Sequence, residues 1–388
     1  MIRLLHTSDW HLGRFLFGKS LLEDQAAALD RIVEIVDTVR PHAILIAGDV
    51  FDRPLPPEMA VRLFDDFLSR VVMERGRPVF LIPGNHDSAE RLGFASRLLR
   101  DRGFTIFSKP EDALKPVRVR GDDGEEAMIF GIPFVEPVQI GRLLGRDDIR
   151  SFDQATRALT TEMKKQMVSG VPSVLLCHAF VVGGEASDSE RDLYVGGSSH
   201  VDVGAFEGFA YTALGHLHKP QRAGHDRVRY SGSLYTYSKS EVEHAKSASE
   251  IRLTKDGSCE VVSHAIDPAR RLRYLEDTLE ILVTAGSKDE RKDDYILAGL
   301  TDPGPVVDAL ARLRAVYPNL LHVSRVQGSF RPEEIPIAAK LREREAIDEL
   351  DLFSEFVQET TGQALTADER SFVLDSIREL DRPEGAST

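Results

Sequence analysis

Five apolar stretches of this 388-residue chain each run into a turn that carries metal-type donors. Leu81-Ile82-Pro83-Gly84-Asn85-His86-Asp87 presents an amide, an imidazole and a carboxylate in succession, at the end of the apolar run from Pro78 to Ile82. Asp9-Trp10-His11 follows Ile2 to Leu5, Gly48-Asp49 follows Ala43 to Ile46, His178 follows Ser173 to Cys177, and Gly215-His216-Leu217-His218 follows Tyr211 to Leu214. Oxygen and nitrogen donors without thiolates favour hard or borderline divalent ions, and a carboxylate can bridge two of them. Two such ions roughly 3.5 to 4 Å apart meet the needs of phosphoester cleavage: an activated water, clamped phosphate oxygens and compensation of charge in an in-line displacement. An isolated Asp-x-His or a lone histidine is commonplace. Five such pieces in this order, each at a strand end, argue for one two-metal site.

The elements that must position these donors are legible from periodicity. Ile2 to Leu5 and Ala43 to Ile46 are short continuous apolar runs, as expected of strands buried on both faces. Between them Leu22, Ala26, Leu29, Val33 and Val36 recur at three- and four-residue spacing, which predicts a helix over 21–39, followed by Pro41. Strand, helix, strand is the order that places ligand loops at the carboxyl ends of strands. Helices over 57–74 and 88–102 flank the central motif with wide apolar stripes. Most of that surface is expected to pack on the sheet, and the surplus to meet a second copy. Further strands are expected at 105–107, 127–130, 173–177, 211–214, 228–231, 250–253 and 260–264, the later ones pairing antiparallel because no helix separates them. The polar, glycine-rich stretch from Gly183 to Glu190, continuing to Gly196-Gly197-Ser198-Ser199, reads as a functional loop. After residue 268 a β-α-β unit follows (294–300, 305–317, 320–326), then a proline-bearing linker at 331–338. Two acidic helices close the chain, the second opened by a Thr366-Ala367-Asp368-Glu369 capping box.

Composition limits the partners. Acidic residues number 63 against 49 basic ones, a net charge of -14, so the chain does not coat nucleic acid by its own field. A DNA substrate would need help from another protein. Residues 341–388 alone carry thirteen acidic side chains against five arginines. Two cysteines cannot form a disulfide framework and suit a reducing compartment. No apolar run approaches the roughly 20 residues of a membrane span, and the first residues are strand-like rather than a leader. The expectation is a cytoplasmic protein without a membrane segment. His6, His42, His200, His225, His244, His264 and His322 lack a matching partner pattern and read as structural. The basic clusters at 97–102, 227–229 and 270–273 could touch phosphates, but charged residues on a folded surface are usually just solvated.

Asp9-x-His11, Gly48-Asp49-x-Phe51-Asp52-Arg53, Gly84-Asn85-His86-Asp87, His178 and Gly215-His216-x-His218 resemble the calcineurin-like metallophosphoesterases. The resemblance implies an α/β fold: a metallophosphoesterase β-sandwich flanked by helices, with a small α+β capping domain and a C-terminal helical pair. The domains would be 1–268 (nuclease), 269–330 (capping, with possible DNA contact) and 340–382 (partner docking). It implies one metal site from Asp9, His11, Asp49 and His218, and a second from Asp49, Asn85, His178 and His216, with Asp49 as the bridge. His86 would assist the phosphate or the leaving oxygen, and Asp52 would orient His86. Two Mn²⁺ are implied, with Mg²⁺ as a weaker substitute. The opening His6 to Gly13, the segment 183–190, the small domain and the helical tail are also similar to nuclease subunits of bacterial ATP-driven complexes that process DNA ends and hairpins in repair and recombination. That closer likeness implies 3′ to 5′ double-strand exonuclease and single-strand endonuclease action, a homodimer, and docking of 340–382 on the coiled-coil base of an ATPase. The same metal core serves cyclic-nucleotide phosphodiesterases and protein phosphatases, so the ligands alone leave the substrate open. A silent binding scaffold is disfavoured, because no ligand is missing.

Overall fold

The computed structural model describes residues 1–190, 200–303, 306–326, 354, 366, 369–371 and 373. The expected loop residues 196–199, the linker 331–338 and all but a few residues of the 340–382 helices lie outside the described residues. The chain divides into two compact units, Met1–Arg325 and Val326–Thr388. In the second, Thr366 and Glu369 form the expected capping box: the Thr366 amide donates to Glu369 Oε2 at 2.8 Å and the Glu369 amide to Thr366 Oγ1 at 3.4 Å.

Two six-stranded sheets dominate the first unit. One runs in the order Cys259–Ala265, Ser247–Leu253, Ile2–Thr7, Ala43–Ile46, Val79–Leu81, Phe104–Ile106. The other runs Gln221–Ala223, His225–Tyr230, Tyr211–Gly215, Ser173–His178, Glu126–Ile132, Val117–Arg120. Each has four consecutive parallel strands: Ile2–Thr7 through Phe104–Ile106 in the first, His225–Tyr230 through Glu126–Ile132 in the second. Side chains alternate across every strand. Ile2 and Leu4 meet Val174, Leu176, Tyr211 and Ala213 between the sheets, while Leu5, Ile44 and Ile46 face the helix Leu22–Val39 outside. Helices Pro137–Leu144 and Phe152–Lys164 cover the outer face of the other sheet through Ile140, Leu159 and Met163. The result is a four-layer sandwich, helix, sheet, sheet, helix, as the strand patterns require.

The same alternation turns His6 inward, where Nδ1 lies 3.0 Å from Tyr211 Oη and Nε2 lies 3.1 Å from the Leu214 carbonyl of the opposite sheet. Burial lowers its pKa to about 3, so it is a neutral tie between sheets. His42 and His264 likewise have structural partners, the Arg3 amide and Glu250.

Three expectations are corrected. His225–Tyr230 joins Tyr211–Gly215 in parallel, and only its hairpin partner Gln221–Ala223 is antiparallel. The chain reverses at Gly224 (φ +70°), so the hairpin rather than a helix makes the crossover. The stretch 88–102 is not one helix but two, Ala89–Leu92 and Ser96–Arg100, with Ala95 left-handed between them. Gly93, which ends the first of them, sits so close to Ser108 that an added Cβ would come within 2.5 Å of Ser108 Oγ. The helix from Glu58 ends at Leu68 and continues as a π-turn over Ser69–Met73. Phe64 and Phe67 of this helix are buried, but Met59, Met73, Phe94 and Leu98 stay exposed, the last two at 81% and 78%.

Beyond residue 268 the first unit continues as a three-stranded parallel sheet, Leu272–Asp277, Tyr295–Leu300 and Leu320–Arg325, with helices Leu279–Gly286 and Ala309–Val316 as crossovers. Its first strand and first helix escaped the periodicity reading. Tyr295 and Arg270 bind Asp24 of the first helix at 2.8 and 3.1 Å, and Arg273 binds Asp289. The 270–273 arginines that bear on the fold are therefore paired rather than merely solvated. Among the described residues no helix is long and apolar enough to cross a membrane.

Candidate metal centre

Both sheets deliver their donors at one edge of the sandwich. Asp9, Asp49 and Asn85 follow parallel strands of the first sheet, and His178 and His216 stand at the ends of neighbouring strands of the second. Main-chain ties lock the turns together: the Asp9 amide donates to the Gly48 carbonyl and the His11 amide to the Asp49 carbonyl, both at 3.0 Å. Four of the donor residues adopt positive φ, Asp9 (53°), His11 (47°), Asp49 (51°) and His216 (108°). Such backbone persists only where its surroundings over-determine it, at roughly 1–3 kcal/mol each. Glycines make the approach possible. A Cβ on Gly215 would stand 1.9 Å from the Ala47 carbonyl oxygen, and one on Gly84 would stand 2.2 Å from Asp49 Oδ1.

Three sets of donors converge, each with all its ligand atoms within 4.8 Å: Asp9, His11 and His218; His11, Asp49 and His86; and Asp9, Asp49 and His178. His11 Nε2 and His218 Nε2 face each other at 3.0 Å, with Asp49 Oδ2 3.8 Å from the former. His178 donates Nδ1–H to the Ala47 carbonyl at 2.9 Å, which turns Nε2 toward Asn85 Oδ1 at 2.9 Å and Asp49 Oδ2 at 3.5 Å. His216 lies beside His178, ring centroids 5.5 Å apart, and its amide donates to Asp9 Oδ1 at 2.9 Å.

The electrostatics follow from burial. Desolvation raises the Asp9 carboxyl to about 6 against the pull of His178 and His218. Burial also acts to raise Asp49, but His178, His11 and His86 outweigh it and hold that carboxyl well below its usual range. Burial drives His11 and His216 well below 6.5, whereas for His178 burial is overcome by the nearby Asp49, which raises it to about 9. His178 thus faces an acceptor set that demands positive charge at Nε2. A divalent cation supplies that charge while leaving the imidazole neutral, and the mixed carboxylate and imidazole donors suit such an ion. The donor set therefore fits divalent metal ions.

Asp52 stands next to the centre, but it contacts His86 through its backbone: His86 Nδ1 lies 2.8 Å from the Asp52 carbonyl. The Asp52 carboxylate instead meets Arg14 Nη1 at 3.2 Å and lies 3.8 Å from His11 Nδ1. Arg14 also stacks on Tyr237 and reaches the Ser189 carbonyl. Asp87 accepts from the amides of Val50, Phe51 and Gly84 at 3.0 to 3.1 Å, so it clamps two donor turns together. Sequence reasoning left Arg14 and Asp87 without roles. Asp87 had a visible signal in its place beside Asn85-His86, whereas Arg14 reads as one more surface arginine.

A family model described as calcineurin-like phosphoesterase matches residues 2–220, and one described as type 5 capsule protein repressor C-terminal domain matches residues 268–361. The SbcD nuclease subunit of the SbcCD complex from Staphylococcus epidermidis is 30% identical over 325 residues, covering 84% of this chain and 86% of that protein. Among solved structures, TT1561 of Thermus thermophilus is 16% identical with a TM-score of 0.40, covering 69% of this chain and 99% of that one.

Proposed function

Because the chain belongs to the calcineurin-like phosphoesterases, and within them to the SbcD nucleases, we propose that its converging donors hold two manganese ions and cut DNA. It is a metal-dependent phosphodiester hydrolase. The observation that supports this assignment of the site is the convergence of Asp9, His11 and His218 with Asp9, Asp49 and His178 at one edge of the sandwich. Asp9, His11, Asp49 and His218 hold one ion in this reading, and Asp49, Asn85, His178 and His216 the other. When bound, the ions supply an activated water and charge compensation for in-line displacement at phosphorus.

The chain's own residues do the rest. Asp49 Oδ1 accepts the His86 amide at 2.8 Å, which places that imidazole over the donor cluster. The Asp52 carbonyl fixes a proton on His86 Nδ1, so Nε2 is the atom that faces the phosphate, and in the imidazolium form it carries the second proton, which it gives to the leaving oxygen to become neutral again. Asp52 orients His86 by its main chain and keeps Arg14 at the rim by its carboxylate. The exposed Phe94 and Leu98 are the homodimer surface. Residues 269–330 cap the nuclease part and touch DNA, while 340–382 dock on the coiled-coil base of an SbcC-type ATPase, which also brings DNA to this acidic chain. Double-strand 3′ to 5′ exonuclease and single-strand endonuclease action at ends and hairpins is the activity assigned to the assembled complex.

The test is incubation of the chain, with and without SbcC and ATP, on end-labelled duplexes, short single strands and a generic phosphodiester. Cleavage of DNA is expected in manganese, well above that in magnesium, because histidine donors suit manganese while magnesium prefers oxygen and keeps its waters; chelator abolishes it. Hydrolysis of the generic phosphodiester with intact DNA under every condition would instead favour a cyclic-nucleotide or phosphoprotein substrate.

A further inference from the structure

On the side of His218 away from the other donors lies a buried charge pair that neither motif nor periodicity discloses. Glu241, fully buried on the short helical turn Lys239–Glu241, has its Oε1 3.1 Å from His218 Nδ1 and accepts the Ser189 hydroxyl, whose oxygen itself lies 2.7 Å from the same Nδ1. Its other oxygen accepts from Lys246 Nζ. Lys246, also buried, donates to the His218 carbonyl at 3.1 Å and to Ser233 Oγ at 2.9 Å. The His218 amide donates to Glu190 Oε1 at 2.6 Å. Ring, amide and carbonyl of one residue are thus each held from behind.

Stability does not account for this arrangement, since a buried ion pair is commonly matched or bettered by apolar residues of the same volume. Its geometry does. With the Glu241 carboxylate and the Ser189 oxygen that donates to it both facing Nδ1, the proton of the neutral imidazole stays on that nitrogen, and the Nε2 lone pair points at His11 and Asp9. A carboxylate behind a metal-bound histidine fixes tautomer and ring orientation and strengthens the donor. We propose that Glu241 is a positioning residue for His218, with Lys246 holding the Glu241 carboxylate in place. The inference rests on His218 being a ligand, and it goes further by assigning that ligand's strength to a pair about two dozen residues along the chain. Ser189 brings the 183–190 segment into the same network, which explains why so polar a stretch is seated against the centre.

The test titrates metal-free full-length protein with Mn²⁺ by calorimetry, alongside urea unfolding. Glu241→Gln alone strands the Lys246 charge, so it is expected to lose stability as well as affinity. Glu241→Gln combined with Lys246→Met removes the stranded charge; it is expected to unfold no more easily than the wild type, yet to bind one of two Mn²⁺ roughly ten- to a hundredfold more weakly. Glu241→Asp, which keeps the charge near Lys246 but withdraws it from Nδ1, is expected to weaken the same step and guards against a double variant that misfolds. Wild-type affinity at both steps in either variant, with one step lost in His218→Ala, overturns the positioning role and leaves the ligand assignment intact. Wild-type affinity at both steps in His218→Ala overturns the ligand assignment itself, and the inference with it.

Discussion

Replacing Gly84 by alanine tests whether the donors act as a metal centre whose geometry is set by backbone contact. The added Cβ would lie 2.2 Å from Asp49 Oδ1, 2.5 Å from the Asp49 amide nitrogen and 2.7 Å from Asp49 Cγ. The carboxylate oxygen must therefore retreat by about 0.8 Å to reach 3.0 Å, close to the 1 Å misplacement that costs roughly 10²-fold in rate. It cannot retreat freely, because the same oxygen accepts the His86 amide and the Asp49 backbone is already left-handed. Overpacking of this kind costs about 1–3 kcal/mol in stability. Gly124→Ala is the control: its φ of +83° makes alanine strained, but nothing lies within 4 Å of the new carbon. That variant is expected to lose about 1–2 kcal/mol to backbone strain and no turnover per folded molecule. Urea unfolding, manganese titration and initial rates on a generic phosphodiester separate the two effects. A Gly84→Ala protein that binds both ions and turns over at the wild-type rate would refute the reasoning.

Three further outcomes are expected. Asp49→Ala or His216→Ala is expected to abolish cleavage together with metal binding, whereas His86→Ala keeps both ions and loses at least 10²-fold in turnover; loss of metal in the His86 variant, measured by calorimetry, would make that residue a ligand instead. The wild type is expected to be a dimer at micromolar concentration by light scattering, and Phe94→Glu with Leu98→Glu a monomer, since those side chains are 81% and 78% exposed; an unchanged dimer would move the interface elsewhere. A chain ending at Gly328 is expected to keep manganese-dependent cleavage of short single strands and to lose SbcC binding and ATP-stimulated duplex cutting; undiminished co-purification with SbcC would remove the docking role of the tail.

The sequence by itself determined the buried strands that run into donors and what each carries at its end, because burial on both faces writes continuous apolar runs and the donor turn follows directly. Asp9, Asn85 and His178 were legible for that reason, and so was the helix of 22–39. Tertiary structure alone decided what meets what. The His216 amide and Asp9 Oδ1 are 207 residues apart and touch only because two separate sheets stack with their carboxyl ends at one edge. The close seat of Gly93 on Ser108 depends on a neighbour from another element. Asp52 turned out to hold His86 by a carbonyl, an atom every residue possesses and no composition can reveal. Glu241 was hidden most completely. It stands in a run, Ser240-Glu241-Val242-Glu243, that reads as solvated surface, and only the fold takes that one carboxylate out of water and sets it against His218 and Lys246. Periodicity reports which face of an element is apolar; whether a charged side chain is buried depends on which partners of opposite charge and which donors the rest of the chain brings to it.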